Sequence, residues 1–152
     1  MRRIVVAFIF GLATWTIAAG LGQAEPKGAS VWSHDVRAAY KQSVKENRPM
    51  LLVFGAEWCT YCKKLEKTTL VDPKIANYVR EGFIPVHVDV DNDPELAKIL
   101  KIKGLPCSVV VSSDVKVLGR LEGYKNTGEF YAFLTESRGD NVRGANGLAR
   151  SR

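Results

Sequence analysis

Hydrophobic and polar positions along the chain form blocks that predict strands interleaved with helices. The segment 50–54 is a continuous apolar run without alternation, as expected for a strand buried on both faces. The full pattern predicts strands at 50–54, 83–90, 108–112 and 116–121, and helices at 34–46, 59–69, 73–80, 94–101 and 127–137. Strands that alternate with helices and then close with a hairpin and a last helix describe an α/β fold. The sequence therefore predicts a mixed central sheet flanked by helices, with an extra N-terminal helix.

The first predicted helix has a recognisable start, face and end. Ser33 is a plausible N-cap, because its hydroxyl can accept a backbone N–H of the first turn. Val36, Tyr40 and Val44 recur four residues apart, which indicates one apolar face. Pro49 follows the last turn and stops the helix. We expect the three recurring side chains to face the core.

The two ends of the chain differ from the segment between them. Residues 1–24 combine Arg2 and Arg3 with an apolar run and then small residues, which is the layout of a secretory signal peptide. A retained membrane anchor is the alternative, because the run is just long enough to span a bilayer. Residues 138–152 are rich in Gly, Asn and Arg, which predicts a disordered basic tail. We expect one domain over residues 25–137, in a periplasmic or secreted protein.

Charge argues against a nucleic-acid partner. The formal net charge of the chain is +6, and it falls to +4 when Arg2 and Arg3 are left out. Most of the remaining excess lies in the arginines of the tail, so that residues 25–137 carry a net charge of +1. Proteins that bind nucleic acid carry a concentrated positive charge on the domain itself.

The residues best suited to chemistry are Cys59 and Cys62, at the predicted junction of a buried strand and a helix. Two intervening residues in the first helical turn bring the sulfurs close enough for a disulfide that opens and closes without refolding. Free backbone N–H groups and the positive end of the helix dipole stabilise a thiolate at this point, so Cys59 is the predicted nucleophile. Cys62 lies one turn further in and is the predicted resolving thiol. This chemistry needs no cofactor.

A family resemblance becomes specific at this motif. The segment 54–63, with Trp58 directly before the first cysteine, resembles the active-site segment of the thioredoxin superfamily. Pro106, preceded by Gly104 and Leu105, stands where that family carries its cis-proline loop. The motif and the residues after it are similar to the periplasmic branch that includes the C-terminal domain of Dsb-type thiol:disulfide interchange proteins. The resemblance implies the thioredoxin fold, with a cis peptide bond at Pro106 facing the cysteines.

The resemblance also implies a function. A member of this family is a thiol–disulfide oxidoreductase that acts on protein thiols and disulfides, here outside the cytoplasm. It implies a monomer that cycles with a membrane electron donor. Trp58 is expected to shield the nucleophile and to shape the substrate surface. Thr60 and Tyr61 stand between the cysteines in place of the Pro-His of strong oxidants, which favours a reductant.

The chain departs from the family pattern at two positions that concern proton transfer. Val53 stands where many thioredoxins carry a buried acid, and His87 stands where many carry a lysine near that acid. A histidine can stay neutral when buried and still accept a proton near neutral pH. We therefore predict that His87 takes part in proton movement at the resolving cysteine, with simple packing as the alternative. Strand alternation places His87 on the face opposite Val86 and Val88.

Several alternatives remain open from the sequence. Cys59 and Cys62 could form a permanent disulfide, as exported proteins often do. With Cys107 and His87 they could instead supply three sulfurs and one nitrogen to zinc or copper. Cys107 is either a small buried core residue or an auxiliary thiol. His34, on the first helix, is expected to be solvated and far from these motifs.

Overall fold

The computed structural model describes residues 31–139. Its helices are α1 (Val36–Glu46), α2 (Thr60–Thr68), α3 (Pro73–Gly82), α4 (Pro94–Ile99) and α5 (Thr127–Arg138). Its strands are β1 (Met50–Gly55), β2 (Ile84–Asp89), β3 (Cys107–Val111) and β4 (Val117–Glu122). The signal peptide and almost all of the predicted tail lie outside the described residues.

The four strands form one mixed sheet in the order β2-β1-β3-β4. β1 pairs with β2 in parallel and with β3 antiparallel, and β4 closes the sheet as an antiparallel partner of β3. The parallel pair is joined through α2 and α3, as a crossover connection requires. This arrangement confirms the predicted fold class.

β1 is buried on both faces, which explains its unbroken apolar run. Leu51 and Val53 belong to a first core cluster, which includes Leu65 of α2 and the inner side of α5. Leu52 and Phe54 belong to a second core cluster on the opposite face of the sheet. Because both faces of the strand are covered, neither face tolerates polar side chains.

The start of α1 differs from the prediction, because Asp35 and not Ser33 is the N-cap. The Asp35 carboxylate accepts the backbone N–H groups of Arg37 and Ala38, each at 2.9 Å. Ser33 instead joins the edge of the sheet: its N–H donates to the Pro85 carbonyl and its carbonyl accepts the His87 N–H. Since this pairing fixes Ser33 beside β2, the helix begins at Val36.

The buried face of α1 also differs from the prediction. Tyr40 and Val44 are 40% and 51% exposed, whereas Ala39 and Ser43 are buried. The small side chains let the helix approach the sheet closely, and the Ser43 hydroxyl donates to the carbonyl of Arg48. A spacing of four residues therefore selected the wrong stripe, because close packing against the sheet favoured size over hydrophobicity.

α5 reaches one residue into the segment that the sequence assigned to the tail. It begins with a capping box, in which Asn126 and Glu129 each accept the backbone N–H of the other. It includes Arg138 and ends at Gly139, whose φ of +75° lies in the left-handed region that glycine adopts without strain. Within residues 31–139, no helix is long and apolar enough to cross a bilayer.

Candidate active site

The end of β1 and the start of α2 place the cysteine pair at one edge of the sheet. After β1 ends at Gly55, the chain turns so that the Cys59 N–H donates to the Ala56 carbonyl at 3.0 Å. Cys59 is the N-cap of α2, and its Sγ accepts the backbone N–H of Cys62 at 3.2 Å. Negative charge is stabilised here by the free N–H groups and by the helix dipole. The fold thus places the Cys59 sulfur where a thiolate is favoured.

Cys59 and Cys62 form a disulfide, and their Cα atoms lie 5.3 Å apart. Both residues are buried, but their surroundings differ. Cys59 lines an open groove, which we call the substrate groove. Cys62 packs behind it against Gly55, where a Cβ atom would lie 3.4 Å from the Cys62 Cβ. A molecule entering the groove therefore meets Cys59 first.

Pro106 lies in the loop that faces the cysteines, as the resemblance implied. The Leu105–Pro106 peptide bond is cis. β3 runs antiparallel to β1 with Cys107 opposite Phe54, so the start of β3 lies beside the end of β1. The Pro106 carbonyl accepts the N–H of Gly123 at 2.8 Å, which ties the loop to the end of β4. Leu105 lines the groove together with Cys59.

The substrate groove has a volume of about 590 Å³ and a mainly apolar lining. Trp58 and Tyr61 line it while remaining 69% and 62% exposed. The Trp58 Nε1 donates to the Asp91 carboxylate at 2.9 Å, which holds the indole in one orientation. The rest of the lining comes from α4, the end of β2 and the loop before Pro106: Val90, Ala97, Ile102, Lys103, Gly104 and Leu105.

His87 lies on the face of the sheet that packs against α2, the helix that carries Cys62. It pairs in register with Val53, whose side chain contributes to the first core cluster beside Leu65 of α2. The neighbouring strand residues Val86 and Val88 belong to the second core cluster, on the other face. The side of β2 that carries His87 is therefore the one behind the resolving cysteine.

Three side chains surround the imidazole of His87. Its ring centroid lies 4.4 Å from that of Trp32 and 5.8 Å from that of His34. The expectation that His34 lies far from the site residues was therefore wrong, because the sheet pairing of Ser33 carries its neighbours onto β2. The Nδ1 atom of His87 lies 3.9 Å from the Glu66 carboxylate.

Burial of the ring, and secondarily the nearby His34, lower the pKa of His87 to about 4. His87 is therefore neutral at pH 7, and its contact with Glu66 is not an ion pair at that pH. The neutral ring fits its buried position, as the sequence suggested. A proton taken up near neutral pH would be held only transiently, since it costs about 1.4 kcal/mol per pH unit above the pKa.

These groups line a second opening of about 490 Å³ on the α2 side of the sheet, which we call the polar cleft. His34 and His87 share it with the charged side chains of Glu66, Lys63 and Asp89. Its lining also includes the backbone at the end of β1, which separates it from Cys62. The cysteine pair thus lies between an apolar groove and a polar cleft.

Comparison with known proteins agrees with this geometry. A model of the thioredoxin-like domain family matches residues 36–138, which is most of the described chain. The chain belongs to the thioredoxin-like family. Among solved structures, this thioredoxin-like chain is similar to the oxidised C-terminal domain of DsbD from Neisseria meningitidis, at 30% identity and a TM-score of 0.60. That match covers 68% of this chain and 97% of the solved domain.

Two curated relatives of this thioredoxin-like chain are also thiol–disulfide proteins by name. The thiol:disulfide interchange protein DsbD of Pectobacterium atrosepticum is 32% identical over 95 residues, covering 59% of this chain but 16% of the relative. The thioredoxin-related protein DsbJ of Chlamydia pneumoniae is 27% identical over 108 residues, covering 63% of this chain and 31% of the relative. The chain therefore spans between about a sixth and a third of the length of these relatives.

Cys107 is separated from the redox pair of the thioredoxin-like domain. It is 1% exposed and belongs to the second core cluster, and it lines neither opening. Burial raises the pKa of its thiol, although Arg120 beside it acts in the opposite direction. Of the two interpretations left open by the sequence, this environment favours a small core residue over an auxiliary thiol.

The residues considered as metal ligands do not converge. Cys107 lies in the second core cluster, whereas His87 lies on the α2 face of the sheet. Cys59 and Cys62 are bonded to each other. Within residues 31–139, no group of three His, Cys, Asp or Glu side chains is arranged to hold a metal ion.

Sequence reasoning missed three residues that line or support the site. Asp91 follows β2, and parallel strands end at the same edge, so its closeness to Trp58 could have been inferred from the predicted strands. Lys103 could have been noticed because it precedes the predicted cis-proline loop. The position of His34 gave no local signal, because it depends on the pairing of Ser33 with β2.

The low pKa of His87 predicts a specific pH dependence of stability. The unfolded chain takes up a proton on this residue near pH 6.5, whereas the folded chain does so only near pH 4. Protonation thus favours the unfolded state as the pH falls through this window. We expect His87→Gln to remove a destabilisation of about 2 kcal/mol between pH 7 and pH 4, after allowing for partial solvent screening.

Urea unfolding of both proteins at pH 7, 5.5 and 4 measures this difference. The packing that Gln loses shifts both ends of the series equally, so the comparison concerns the slope with pH and not the absolute stability. Parallel pH dependences of the two proteins would contradict the assignment.

Proposed function

We propose that this chain is a thiol–disulfide oxidoreductase that acts on protein disulfides through Cys59 and Cys62. The observation that carries the proposal is the asymmetry of the pair at the start of α2, where Cys59 lines an open groove and Cys62 packs behind it. The family match and the names of the relatives support the same chemistry. No described residue outside the pair is needed to carry the two electrons.

The reaction proceeds in two exchanges that balance in atoms and electrons. In the reduced protein, the Cys59 thiolate attacks one sulfur of a substrate disulfide, forms a mixed disulfide and releases the other substrate sulfur as a thiolate. The Cys62 thiolate then attacks the Cys59 sulfur and releases the second substrate thiolate. The protein is left with the Cys59–Cys62 disulfide, and the substrate has gained two electrons. A dithiol partner resets the cycle by the reverse exchange.

The surroundings of the pair assist each exchange. The N-terminal end of α2 stabilises the attacking thiolate, because free N–H groups point toward the Cys59 sulfur. Trp58, held by Asp91, forms part of the surface on which a substrate rests beside the nucleophile. The loop at Pro106 provides the opposite wall of the groove. Together they hold a substrate sulfur in line with the Cys59 sulfur.

For His87, we propose participation in the proton release of Cys62. Val53 occupies the inner position of β1 beside it, so the polar cleft supplies the polar groups on this side of the pair. His87 and Glu66 are within 3.9 Å of each other there, and a proton can pass briefly through the imidazole to the carboxylate or to water. The low pKa of His87 limits it to such transient transfer.

The rate of mixed-disulfide resolution between pH 5 and 9 tests this role in His87→Gln. We expect resolution to slow by about tenfold or less at neutral pH, the lower range for loss of one proton-transfer group. A rate profile identical to that of the unchanged protein would leave His87 with packing alone.

We further propose that the domain works outside the cytoplasm, as a reductant that a membrane protein supplies with electrons. The predicted signal peptide supports export, and the similarity to the DsbD C-terminal domain supports reduction and a membrane partner. Fractionation of cells that express the full chain tests the location: recovery with the cytoplasmic proteins would contradict export.

The assignment of roles to the two cysteines predicts different outcomes for their serine variants. Cys62→Ser should accumulate mixed disulfides through Cys59, because the attacking thiol remains while the group that releases the substrate is gone. Cys59→Ser should lose exchange activity by at least about a thousandfold, since no thiol then faces the groove. Non-reducing gels and mass spectrometry after incubation with an oxidised protein substrate measure both.

Alkylation of the reduced protein at mildly acidic pH is an independent check. Cys59 should react first, because its thiolate is favoured and it borders the groove. Faster labelling of Cys62 would reverse the assignment.

The reductive role predicts the potential of the Cys59–Cys62 couple. We expect a value closer to that of reducing thioredoxins, about −270 mV, than to that of strong oxidants, about −120 mV. Equilibration with glutathione or dithiothreitol buffers, followed by alkylation and mass measurement, gives the value. A potential near the oxidising end would replace the reductase with an oxidase or isomerase.

A further inference from the structure

The substrate groove combines an apolar wall with a single charged side chain. Among the residues that line it, Lys103 alone carries a charge. Lys103 is exposed, in the short loop that connects α4 to Pro106. The groove volume of about 590 Å³ is within the range of sites that bind small ligands, and it accommodates a few side chains of an extended segment.

The acidic residues close to the groove do not cancel this charge. The carboxylate of Asp91 already accepts the Trp58 indole N–H. Glu57 faces the polar cleft, where its carboxylate lies 4.0 Å from Lys63. Asp93 and Glu95 are exposed at the start of α4 and do not line the groove. No residue is recorded within ion-pair distance of Lys103 in the described part of the chain.

We propose that Lys103 makes the groove selective for protein disulfides whose cysteine is flanked by an apolar residue and by an acidic residue. This inference rests on the proposed oxidoreductase function and specifies its substrate class. The occupant is an extended segment of a substrate protein, with its cysteine at Cys59 and its apolar side chain against Ile102 and Leu105. Its carboxylate reaches the ammonium group of Lys103.

Two physical terms decide this preference. The apolar wall removes water from a side chain of matching character, which contributes about 25 cal/mol for each Å² buried. The carboxylate beside Lys103 gains a charge interaction, and the neighbouring apolar surface makes it stronger than a fully solvated pair. A lysine or arginine in the same place meets a like charge and loses the same interaction. The discrimination between acidic and basic substrates is therefore larger than the attraction alone.

Matched peptide disulfides test the proposal. Three peptides share one sequence with a leucine next to the cysteine and differ at a single flanking position, which is Glu, Gln or Lys. We expect kcat/KM to be about five- to tenfold higher for the Glu peptide than for the Lys peptide, in the order Glu, Gln, Lys. The ratio should fall toward one as ionic strength rises, because an exposed pair is screened.

A charge reversal at the groove should invert this order. In Lys103→Glu the Lys peptide should become the better substrate. The matched control is Lys41→Glu, which changes the net charge equally on the exposed face of α1, away from both openings. It should leave the Glu-to-Lys ratio as it is in the unchanged protein.

The possible failures are distinguishable. Equal kcat/KM values for the three peptides, or the same change of ratio in Lys103→Glu and Lys41→Glu, would overturn the selectivity while leaving the oxidoreductase function intact. Absence of turnover with every peptide and with an oxidised protein substrate would overturn the function itself, and the selectivity with it.

Discussion

Burial of β1 on both faces is the constraint on which the rest of this structure depends. Its side chains alternate between the two core clusters, so the strand must lie inside the sheet and beneath helices on both sides. Its C-terminal end can leave the core only at the edge of the sheet, where the chain turns at Gly55 and starts α2. The cysteine pair inherits a fixed backbone on one side and an open groove on the other.

The sheet also separates two chemical environments around the disulfide. The substrate groove borders the second core cluster, through Ile102 and Leu105, and it is mainly apolar. The polar cleft lies on the α2 side, where His87 and Glu66 meet. A substrate and a proton can therefore approach the pair from different sides. This division lets an apolar segment bind beside Cys59 without burying the charged groups of the cleft.

The parts of the site that could be predicted from the sequence are those encoded by adjacent residues. The strand-to-helix junction places Cys59 and Cys62 at the first turn of α2, and the proline motif places Pro106 in the facing loop. The start and the buried face of α1 could not be predicted in the same way. Ser33 was a good N-cap by type, but its backbone pairs with β2, and this pairing leaves the cap to Asp35.

The sequence by itself determined the buried strand, the redox pair and the fold class, because each depends on the character and spacing of residues close together in the chain. Only the tertiary structure decided what surrounds His87, because Trp32 and His34 reach it through an isolated bridge at the edge of the sheet. It also decided that Cys107 faces the core and Lys103 faces the groove. Such contacts depend on register and on which face of the sheet each strand presents, and both are settled by packing across the whole domain.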